Sequence, residues 1–357
     1  MRNKNLPRYM KDFWKKQAEK WKMCFLAPMD WYGDSAYRQT MKRISPHIYL
    51  ISEFYSADGL VHSQFLADSV LPHQDMEKPV VIQIFGKNPE NFAKAAKIIE
   101  RYNIAGIDVN MGCPAKKVIR SGHGSSLFIN EDLAFEIVDT LNKATKLPIS
   151  VKTRLSFDGN QNLIKFAKWL ENAGASLLTI HGRTAKQAYT GNADFTNIYE
   201  LKKHVNVPVI CNGDIMNYND GINKLQNLDG FMIGRWSFGN PWCFLGDPHT
   251  EMKSEFINND NFVDGIYHPT LGEILSTMEF HASKLVEVKW QRKWSLEIRK
   301  HLVQYLKSFP GVKDYRKRLV TTESIENSRE VIDEIRNRYI KSLDLRPSLN
   351  EVDDVLD

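Results

Sequence analysis

The chain has 357 residues, of which 42% are hydrophobic and 25% are charged, with a formal net charge of +5 at pH 7. This composition is typical of a globular protein, and the length predicts one large domain with a smaller one beside it. No apolar run reaches the roughly 18 residues of a membrane span, and the basic start lacks the apolar core of a signal peptide. We therefore expect a soluble, cytoplasmic protein without a membrane segment. Four scattered cysteines without a CxxC pair argue against a disulfide framework or a metal site.

Up to about residue 240, short apolar runs alternate with segments of helical period, such as 91–102, 133–144, 163–173 and 218–226. Eight runs have the β-branched or aliphatic character of strands that are buried on both faces. The alternation predicts a parallel sheet. Eight such units in about 220 residues favour a closed (β/α)8 TIM barrel over an open, doubly wound sheet. The predicted strands are 25–29, 48–52, 80–85, 106–110, 149–153, 177–181, 207–211 and 231–234.

The pattern changes near residue 241, where the strand signals stop. We predict a barrel domain over 1–245, a polar linker over 246–270, a C-terminal helical bundle over 271–343 and a flexible tail over 344–357. The predicted helices of the bundle are 271–289, 292–308, 312–320 and 325–341.

Polar groups follow the predicted strands at the points where the strands end. In a barrel, the carboxyl ends of the strands carry the chemistry. The eight ends read APM, SEF, QIFG, NMGCP, KTR, HGRT, NGDI and GR in chain order. Purely structural strand ends do not need such groups, so their joint occurrence predicts a functional site. The side chains concerned are Gln83, Asn110, Cys113, Lys152, Arg154, His181, Asn212 and Arg235.

The last two strand ends predict a phosphate site, because barrels often bind phosphate with the loops after strands seven and eight. Gly213 within NGD lets the backbone approach a ligand, and Gly234 with Arg235 adds a second bare backbone and a guanidinium. Asn-Gly is also a common turn, so NGD alone does not decide between the two functions.

Three further side chains each have a structural alternative. Lys152 could place positive charge beside an electron-rich ring, as flavin enzymes do, or could be a surface lysine. Gln83 could present a donor and an acceptor to a heterocycle, or could cap a loop. His181 could contact a ligand, or could be a core histidine that is satisfied by the protein. The residues by themselves leave these alternatives open.

Cys113 stands between Gly112 and Pro114, which both constrain the backbone, and two lysines follow at Lys116 and Lys117. A thiol that only fills a core needs no such setting. The pattern therefore predicts a functional thiol held on a bent loop.

The segment VNMGCPAKKV at 109–118, with LAPM, VKTR, HGRT, NGDI and IGR at these intervals, resembles the tRNA dihydrouridine synthases. The resemblance spans about residues 23–320 and includes IRKHLVQYLKSFPGVKDYRKRL, which is similar to the bacterial members. Members join an FMN-binding barrel to a helical bundle and reduce the C5–C6 double bond of one uridine, generally with NADPH. Two segments depart from the pattern. Members usually have a small residue and a Gly-x-Thr-Asp turn where this chain has Asp30-Trp31-Tyr32-Gly33-Asp34. Many bacterial members have Gly-Ala-Gly-Ser where this chain has GHGS at 122–125.

The resemblance implies that reduced FMN delivers hydride from N5 to C6 of the uracil while Cys113 donates a proton to C5. Asn110 would hydrogen-bond the uracil edge, and Arg154, together with His181, would also reach the base. Arg183 would either face phosphate or support its loop, which stays open. FMN would be held by Pro28, Met29, Gln83, Lys152, His181, Asn212, Gly213, Asp214, Gly234 and Arg235.

Between residues 284 and 318, eleven Lys or Arg oppose three acidic residues. A solvated helix face could have the same count. However, a uridine that is stacked in folded RNA must be extruded to react, which requires a grip on the tRNA. We therefore expect an RNA-binding face that includes Arg316, Lys317 and Arg318, with Lys116 and Lys117 as further phosphate contacts. The expected protein is a monomer.

Three other functions remain as alternatives. A flavin-dependent RNA uridine methyltransferase would keep the fold and the RNA but alter the cysteine chemistry. A small-molecule flavin dehydrogenase of the dihydroorotate type would share the phosphate site but would not need the basic bundle. A catalytically idle RNA-binding protein would not need the whole set of polar strand ends.

Overall fold

The computed structural model describes residues 11–72, 74–246, 257–288, 291–307 and 311–339. The chain divides into two compact units. The first unit contains the eight-stranded sheet. The second contains segments 34–47 and 217–219 and the chain from Arg235 onward. The predicted tail at 344–357 and residues 247–256 of the predicted linker lie outside the described residues.

Eight parallel strands close into a barrel in chain order, which confirms the predicted (β/α)8 fold. Each strand pairs with the next, and the last pairs with the first. The strands are Met23–Leu26 (β1), Tyr49–Ser56 (β2), Val80–Phe85 (β3), Gly106–Asn110 (β4), Ile149–Arg154 (β5), Leu177–His181 (β6), Val209–Asn212 (β7) and Gly230–Ile233 (β8).

Five strands differ from the predicted ones at one or both boundaries, and three of these differences have a local cause. Strand β1 ends before Pro28, and β7 begins after Pro208, because proline has no N–H to donate to a neighbouring strand. Strand β2 continues to Ser56, four residues beyond the predicted end, through a register shift between Ile51 and Phe54. A bulge of this kind lets a strand bend and keep pairing with its neighbour.

Barrel closure depends on a glycine at the start of β8. Gly230 pairs with Met23 of β1, and a Cβ at position 230 would lie 2.2 Å from the carbonyl oxygen of Met23. No larger residue fits at this approach of two backbones. Near the same end of the barrel, the buried Trp14 ring packs 5.5 Å from the ring of Phe25 and 5.4 Å from that of Tyr49.

The helices are α1 (Phe13–Ala18), α2 (Ser35–Ile44), α3 (Ala57–His62), α4 (Gln64–Val70), α5 (Pro89–Ile99), α6 (Lys116–Arg120), α7 (Glu131–Ala144), α8 (Leu163–Asn172), α9 (Thr196–Lys202), α10 (Tyr218–Asn223), α11 (Leu271–Val288), α12 (Gln291–Tyr305), α13 (Lys313–Leu319) and α14 (Ile325–Arg338). No helix in the described part of the chain is long and apolar enough to cross a membrane.

Helix α5 begins before its predicted start at residue 91. The Asn88 side chain accepts hydrogen bonds from the N–H groups of Glu90 and Asn91, and Pro89 occupies the first helical position. Both residues favour a helix start, because the cap satisfies free N–H groups and proline already has a helical φ.

The second unit has its own apolar core. Helices α11 to α14 contribute fully buried residues such as Leu275, Leu302, Leu319 and Ile332, as predicted from their periodicity. Helix α2 contributes to the same core although it follows β1 in the chain. A short antiparallel pair, Phe262–Val263 (β9) with Ile266–Tyr267 (β10), lies in the segment predicted to be a linker.

Candidate active site

The parallel strands bring the predicted polar residues to one edge of the barrel. Asn110 at the end of β4 is in register with Lys152 of β5, and Arg154 is in register with His181 of β6. His181 is in register with Asn212 at the end of β7. Residues separated by 27 to 42 positions in the sequence are therefore neighbours at the carboxyl ends of the strands.

Buried side chains form a hydrogen-bonded chain inside this edge. Gln83 donates from Nε2 to Oδ2 of Asp108 at 2.6 Å and accepts at Oε1 from Nδ2 of Asn110 at 2.8 Å. The Ser150 hydroxyl donates to Oδ1 of Asp108 at 2.5 Å. Burial raises the pKa of Asp108 to about 6, against the hydrogen bonds from Gln83 and Ser150. Sequence reasoning missed Asp108; the available signal was a carboxylate inside an otherwise apolar strand.

The loop of Cys113 is held from three sides. Oδ1 of Asn110 accepts from the backbone N–H groups of Gly112 at 3.2 Å and Cys113 at 3.0 Å. Arg154 donates from Nε to the carbonyl of Gly112 at 2.8 Å. Ser125 donates to the carbonyl of Cys113 from its backbone N–H at 3.2 Å and from its hydroxyl at 3.0 Å. The predicted bent loop is thus fixed by hydrogen bonds on both sides of the thiol.

Cys113 is half-buried, whereas the other three cysteines are fully buried. Burial raises the pKa of the Cys113 thiol above its ordinary value, and the positive charges of Arg154 and Lys152 act in the opposite direction. The thiol therefore keeps its proton at neutral pH, as a proton donor must.

Lys152 lies beside the cysteine loop in the middle of this edge. Burial lowers its pKa to about 8, and the charge of Arg154 adds to the effect, whereas Asp108 opposes it. The side chain remains largely an ammonium at neutral pH. Its neighbour in register on β6, Thr179, has a buried hydroxyl without a hydrogen-bond partner in the described part of the chain.

The guanidinium of Arg154 donates its hydrogen bonds mainly to backbone carbonyls. Besides Gly112, its guanidinium donates from Nη1 to the carbonyls of Thr184 at 2.9 Å and Ala188 at 2.7 Å. The side chain is only 3% exposed, and its guanidinium carbon lies 5.6 Å from the centre of the Tyr189 ring. Arg154 thus ties the cysteine loop to the loop after β6, and its predicted contact with uracil stays a prediction.

Arg183 contacts the loops at the ends of β6 and β7, as expected of a residue that supports its loop. Its Nη2 forms an ion pair with Oδ2 of Asp214 at 2.5 Å, and the same oxygen accepts from the N–H of Ala193 at 2.8 Å. Nη1 lies 3.3 Å from Nε2 of His181. The predicted phosphate loop is therefore held by an ion pair whose arginine is buried and whose aspartate side chain is 35% exposed.

Two glycines stand at the ends of β7 and β8: Gly213 is buried, whereas Gly234 is half-buried with room beside its backbone. Gly213 has a φ of +113°, and a Cβ there would lie 2.8 Å from the His181 ring and 2.9 Å from Ala193. A Cβ at Gly234 would meet nothing closer than Ala27 at 3.6 Å, followed by the Met29 sulfur at 3.9 Å.

Arg235 follows Gly234 directly and begins a 3-10 turn, Arg235–Ser237, with an exposed side chain. Pro28 and Met29 are half-buried just beyond β1. Asn212 donates from its amide to the carbonyl of Met232 at 2.9 Å.

Lys116 and Lys117 begin α6 and are exposed directly after the cysteine loop. In the second unit, Arg316 is half-buried on α13, whereas Lys317 and Arg318 are exposed. Lys317 lies 3.5 Å from Asp314, and Arg318 lies 2.5 Å from Glu334. Acidic neighbours therefore offset part of the positive charge counted in the sequence.

Residues 25–341 match the family model described as dihydrouridine synthase. The probable tRNA-dihydrouridine synthase 1 of Synechocystis sp. is 34% identical over 311 residues, which cover 86% of this chain and 84% of that protein. The tRNA-dihydrouridine synthase B of Pasteurella multocida is 32% identical over 316 residues, which cover 85% of this chain and 92% of that protein.

Proposed function

The chain belongs to the dihydrouridine synthase family, and we propose that it reduces one uridine of tRNA to 5,6-dihydrouridine with FMN as cofactor. The observation that carries the proposal is the fixed loop of Cys113 beside Lys152 and Asn110 at the carboxyl edge of the barrel. A thiol that holds its proton, an ammonium and oriented amides are the groups that reduction of a uracil ring requires.

The residues at this edge fit FMN. Lys152 offers a positive charge in a partly buried setting that suits an electron-rich ring. Gly213 and Gly234 stand at the two strand ends where barrels bind phosphate, and Gly234 leaves room beside its backbone. Bound FMN supplies the hydride for C6 of the uracil. The residues proposed to hold FMN are Pro28, Met29, Gln83, Lys152, His181, Asn212, Gly213, Asp214, Gly234 and Arg235.

Cys113 is proposed to donate the proton that C5 of the uracil requires. Hydrogen bonds from Ser125 to its carbonyl and from its N–H to Asn110 fix the backbone on which the thiol stands. Burial keeps the thiol protonated before the reaction. The thiolate that is left after the transfer has to regain a proton from solvent before the next turnover. A positioned acid of this kind contributes about 100- to 10,000-fold to a rate.

Asn110 and Arg154 are proposed to serve the uracil. The Asn110 amide retains a second N–H beyond the one that it donates to Gln83, and this donor is free to meet a carbonyl oxygen. Arg154 fixes the carbonyl of Gly112 next to the thiol. Arg154 is therefore proposed to serve the uracil by holding the cysteine loop in place.

Five basic residues are proposed to bind the tRNA backbone: the exposed Lys116, Lys117, Lys317 and Arg318 and the half-buried Arg316. Residues 271–343 are proposed as the RNA-binding domain. We further propose NADPH as the reductant, a monomeric enzyme and action in the cytoplasm, where tRNA and NADPH are both available. The methyltransferase, the dihydroorotate-type dehydrogenase and the idle RNA-binding protein are not favoured, because the family is that of dihydrouridine synthases.

The function is tested by mapping modified uridines in tRNA from cells with and without this protein. We expect dihydrouridine to disappear at a defined position and to return when purified, FMN-loaded protein and NADPH are added to that tRNA. A tRNA that keeps all its dihydrouridine would contradict the proposal. Loss of 5-methyluridine instead would favour the methyltransferase alternative.

A further inference from the structure

Asp108 lies at the buried end of a hydrogen-bonded chain that reaches the backbone of Cys113. The residue is fully buried, and both of its carboxylate oxygens accept hydrogen bonds, from Ser150 and from Gln83. Burying a carboxylate is costly unless it is hydrogen-bonded, and an apolar residue in this strand would avoid that cost. Packing alone therefore does not explain why an aspartate occupies this position.

The donor and acceptor pattern gives that reason. An ionised carboxylate only accepts, so the Gln83 amide must turn its Nε2 toward Asp108. Oε1 of Gln83 then faces Asn110, which must present Nδ2 to it. Oδ1 of Asn110 is left to accept from the N–H groups of Gly112 and Cys113. One carboxylate thus determines which way two amides point.

We propose that Asp108 is a positioning residue, which orients the amides of Gln83 and Asn110 and through them holds the backbone of Cys113. The inference rests on the proposed function, because it gives the placement of the thiol a catalytic purpose. Asp108 touches neither the thiol nor the predicted uracil edge and acts only through the two amides.

A charge swap tests this orientation. Gln83→Glu places a second carboxylate against Asp108, whereas Asp108→Asn provides an N–H that can donate to it. We expect Gln83→Glu to slow dihydrouridine formation per bound flavin by about 100-fold, as for a misplaced reacting group. Asp108→Asn alone should slow the reaction by about 10-fold, because an amide can also donate to Gln83 and no longer determines which way that side chain points. The double variant should return to within about threefold of Asp108→Asn.

Gln83→Met is the matched control and also serves if Gln83→Glu does not fold. It breaks the chain without adding charge, so it should slow the reaction while Asp108→Asn fails to rescue it. Rescue of the methionine variant, or no rescue of the glutamate variant, would overturn the proposal.

The rate of Cys113 alkylation by iodoacetamide gives a readout that does not depend on turnover. It should rise in Gln83→Glu, because a loosened loop exposes the half-buried thiol, and should return to the wild-type rate in the double variant. Equal alkylation rates in all variants would contradict the proposed effect of Asp108 on the placement of Cys113. A wild type that forms no dihydrouridine would contradict the proposed function, while the alkylation series would still test Asp108.

A second, independent observation concerns Trp31 in the turn after β1. Its side chain is 71% exposed, and its φ of +68° lies in the left-handed region that bulky residues rarely adopt. The carbonyl of Met29 accepts from the N–H groups of Tyr32 at 3.1 Å and Gly33 at 2.9 Å, which fixes the turn. A strained backbone that displays an exposed indole is typical of a functional site.

The turn lies at the carboxyl end of β1, which is the end of the barrel that also carries Cys113. Burial is the main cause of the raised pKa of Cys113, and the negative charge of Asp30, next to Trp31, adds to it. Trp31 therefore stands at the same end of the barrel as Cys113, because both follow the carboxyl ends of their strands.

We infer that Trp31 stacks on a base of the bound tRNA, which again rests on the proposed function. Stacking of an aromatic ring on a base is worth about 1–3 kcal/mol and does not depend on sequence. Trp31→Gly should therefore weaken tRNA binding about 5- to 100-fold. The same change should raise the melting temperature, because glycine adopts a positive φ without strain.

Trp21→Gly is the matched control. Trp21 is 55% exposed but precedes β1, at the opposite end of the barrel, so its replacement should leave tRNA affinity unchanged. Wild-type affinity in Trp31→Gly would overturn the inference, as would a change in self-association in place of a change in RNA binding. Absence of tRNA binding by the wild type would instead contradict the proposed function.

Discussion

Replacing Cys113 with alanine is expected to slow uridine reduction in tRNA by about 100- to 10,000-fold, the contribution of a positioned general acid. FMN should remain bound and should still be reduced by NADPH, because the thiol serves only the protonation of C5. Stopped-flow measurement of flavin reduction, followed by flavin reoxidation with tRNA, separates the two half-reactions. Only the second should be impaired.

The wild-type rate of tRNA reduction should stay level through neutral pH. It should begin to fall near pH 8, because burial lowers the pKa of Lys152 to about 8 and the ammonium is lost there. A further fall belongs to the Cys113 thiol and should come above its ordinary pKa of about 8.5, because burial raises that pKa. Cys211→Ala, which removes a fully buried thiol from β7, is the control and should keep full activity. Dihydrouridine formation at the wild-type rate by Cys113→Ala would show that another group is the acid.

Reversing the charge at Arg316, Lys317 and Arg318 together is expected to weaken tRNA binding by about 100-fold at 0.1 M salt. A plot of the logarithm of the binding constant against the logarithm of the salt concentration should also become less steep. Its slope should decrease by about one for each lost phosphate contact. NADPH oxidation by the FMN-loaded protein should not change. Titration of labelled tRNA at several salt concentrations measures both the affinity and the slope.

The matched control reverses Lys143, Lys165 and Lys203, which are as exposed as Lys317 and are likewise paired with carboxylates. These lysines lie on α7, α8 and at the end of α9, and their reversal should leave affinity almost unchanged. Lys317→Glu with Arg318→Glu, a milder variant, spares the half-buried Arg316. Unaltered affinity and slope in both variants would assign α13 to a solvated surface.

The fold was largely predictable because each strand and helix leaves a local pattern. The predicted bounds of strands 80–85, 106–110 and 177–181 agree with the structure at both ends. In each case, a short apolar run between turn residues indicates a strand that is buried on both faces of a parallel sheet. The pair β9 and β10 was missed, because two-residue strands carry no periodicity.

The site was predictable as a set of residues but not as a set of contacts. Parallel strands place their carboxyl ends together, so the polar strand ends had to converge once the barrel was inferred. Which groups they contact depends on neighbouring strands, so the sequence could not show that Arg154 binds backbone carbonyls or that Arg183 pairs with Asp214.

The sequence by itself determined the barrel, the bent loop of Cys113 and the family, because these depend on period, on residue type and on short motifs. Only the tertiary structure shows that α2 packs with the C-terminal helices. The apolar residues of α2 predict a buried helix face but do not show which of the two cores that face joins. The tertiary structure also decided that Asp108 orients toward Gln83 and Ser150, which lie 25 and 42 residues away in the sequence. Hydrogen-bond partners at such separations are chosen by strand register, which no local pattern records.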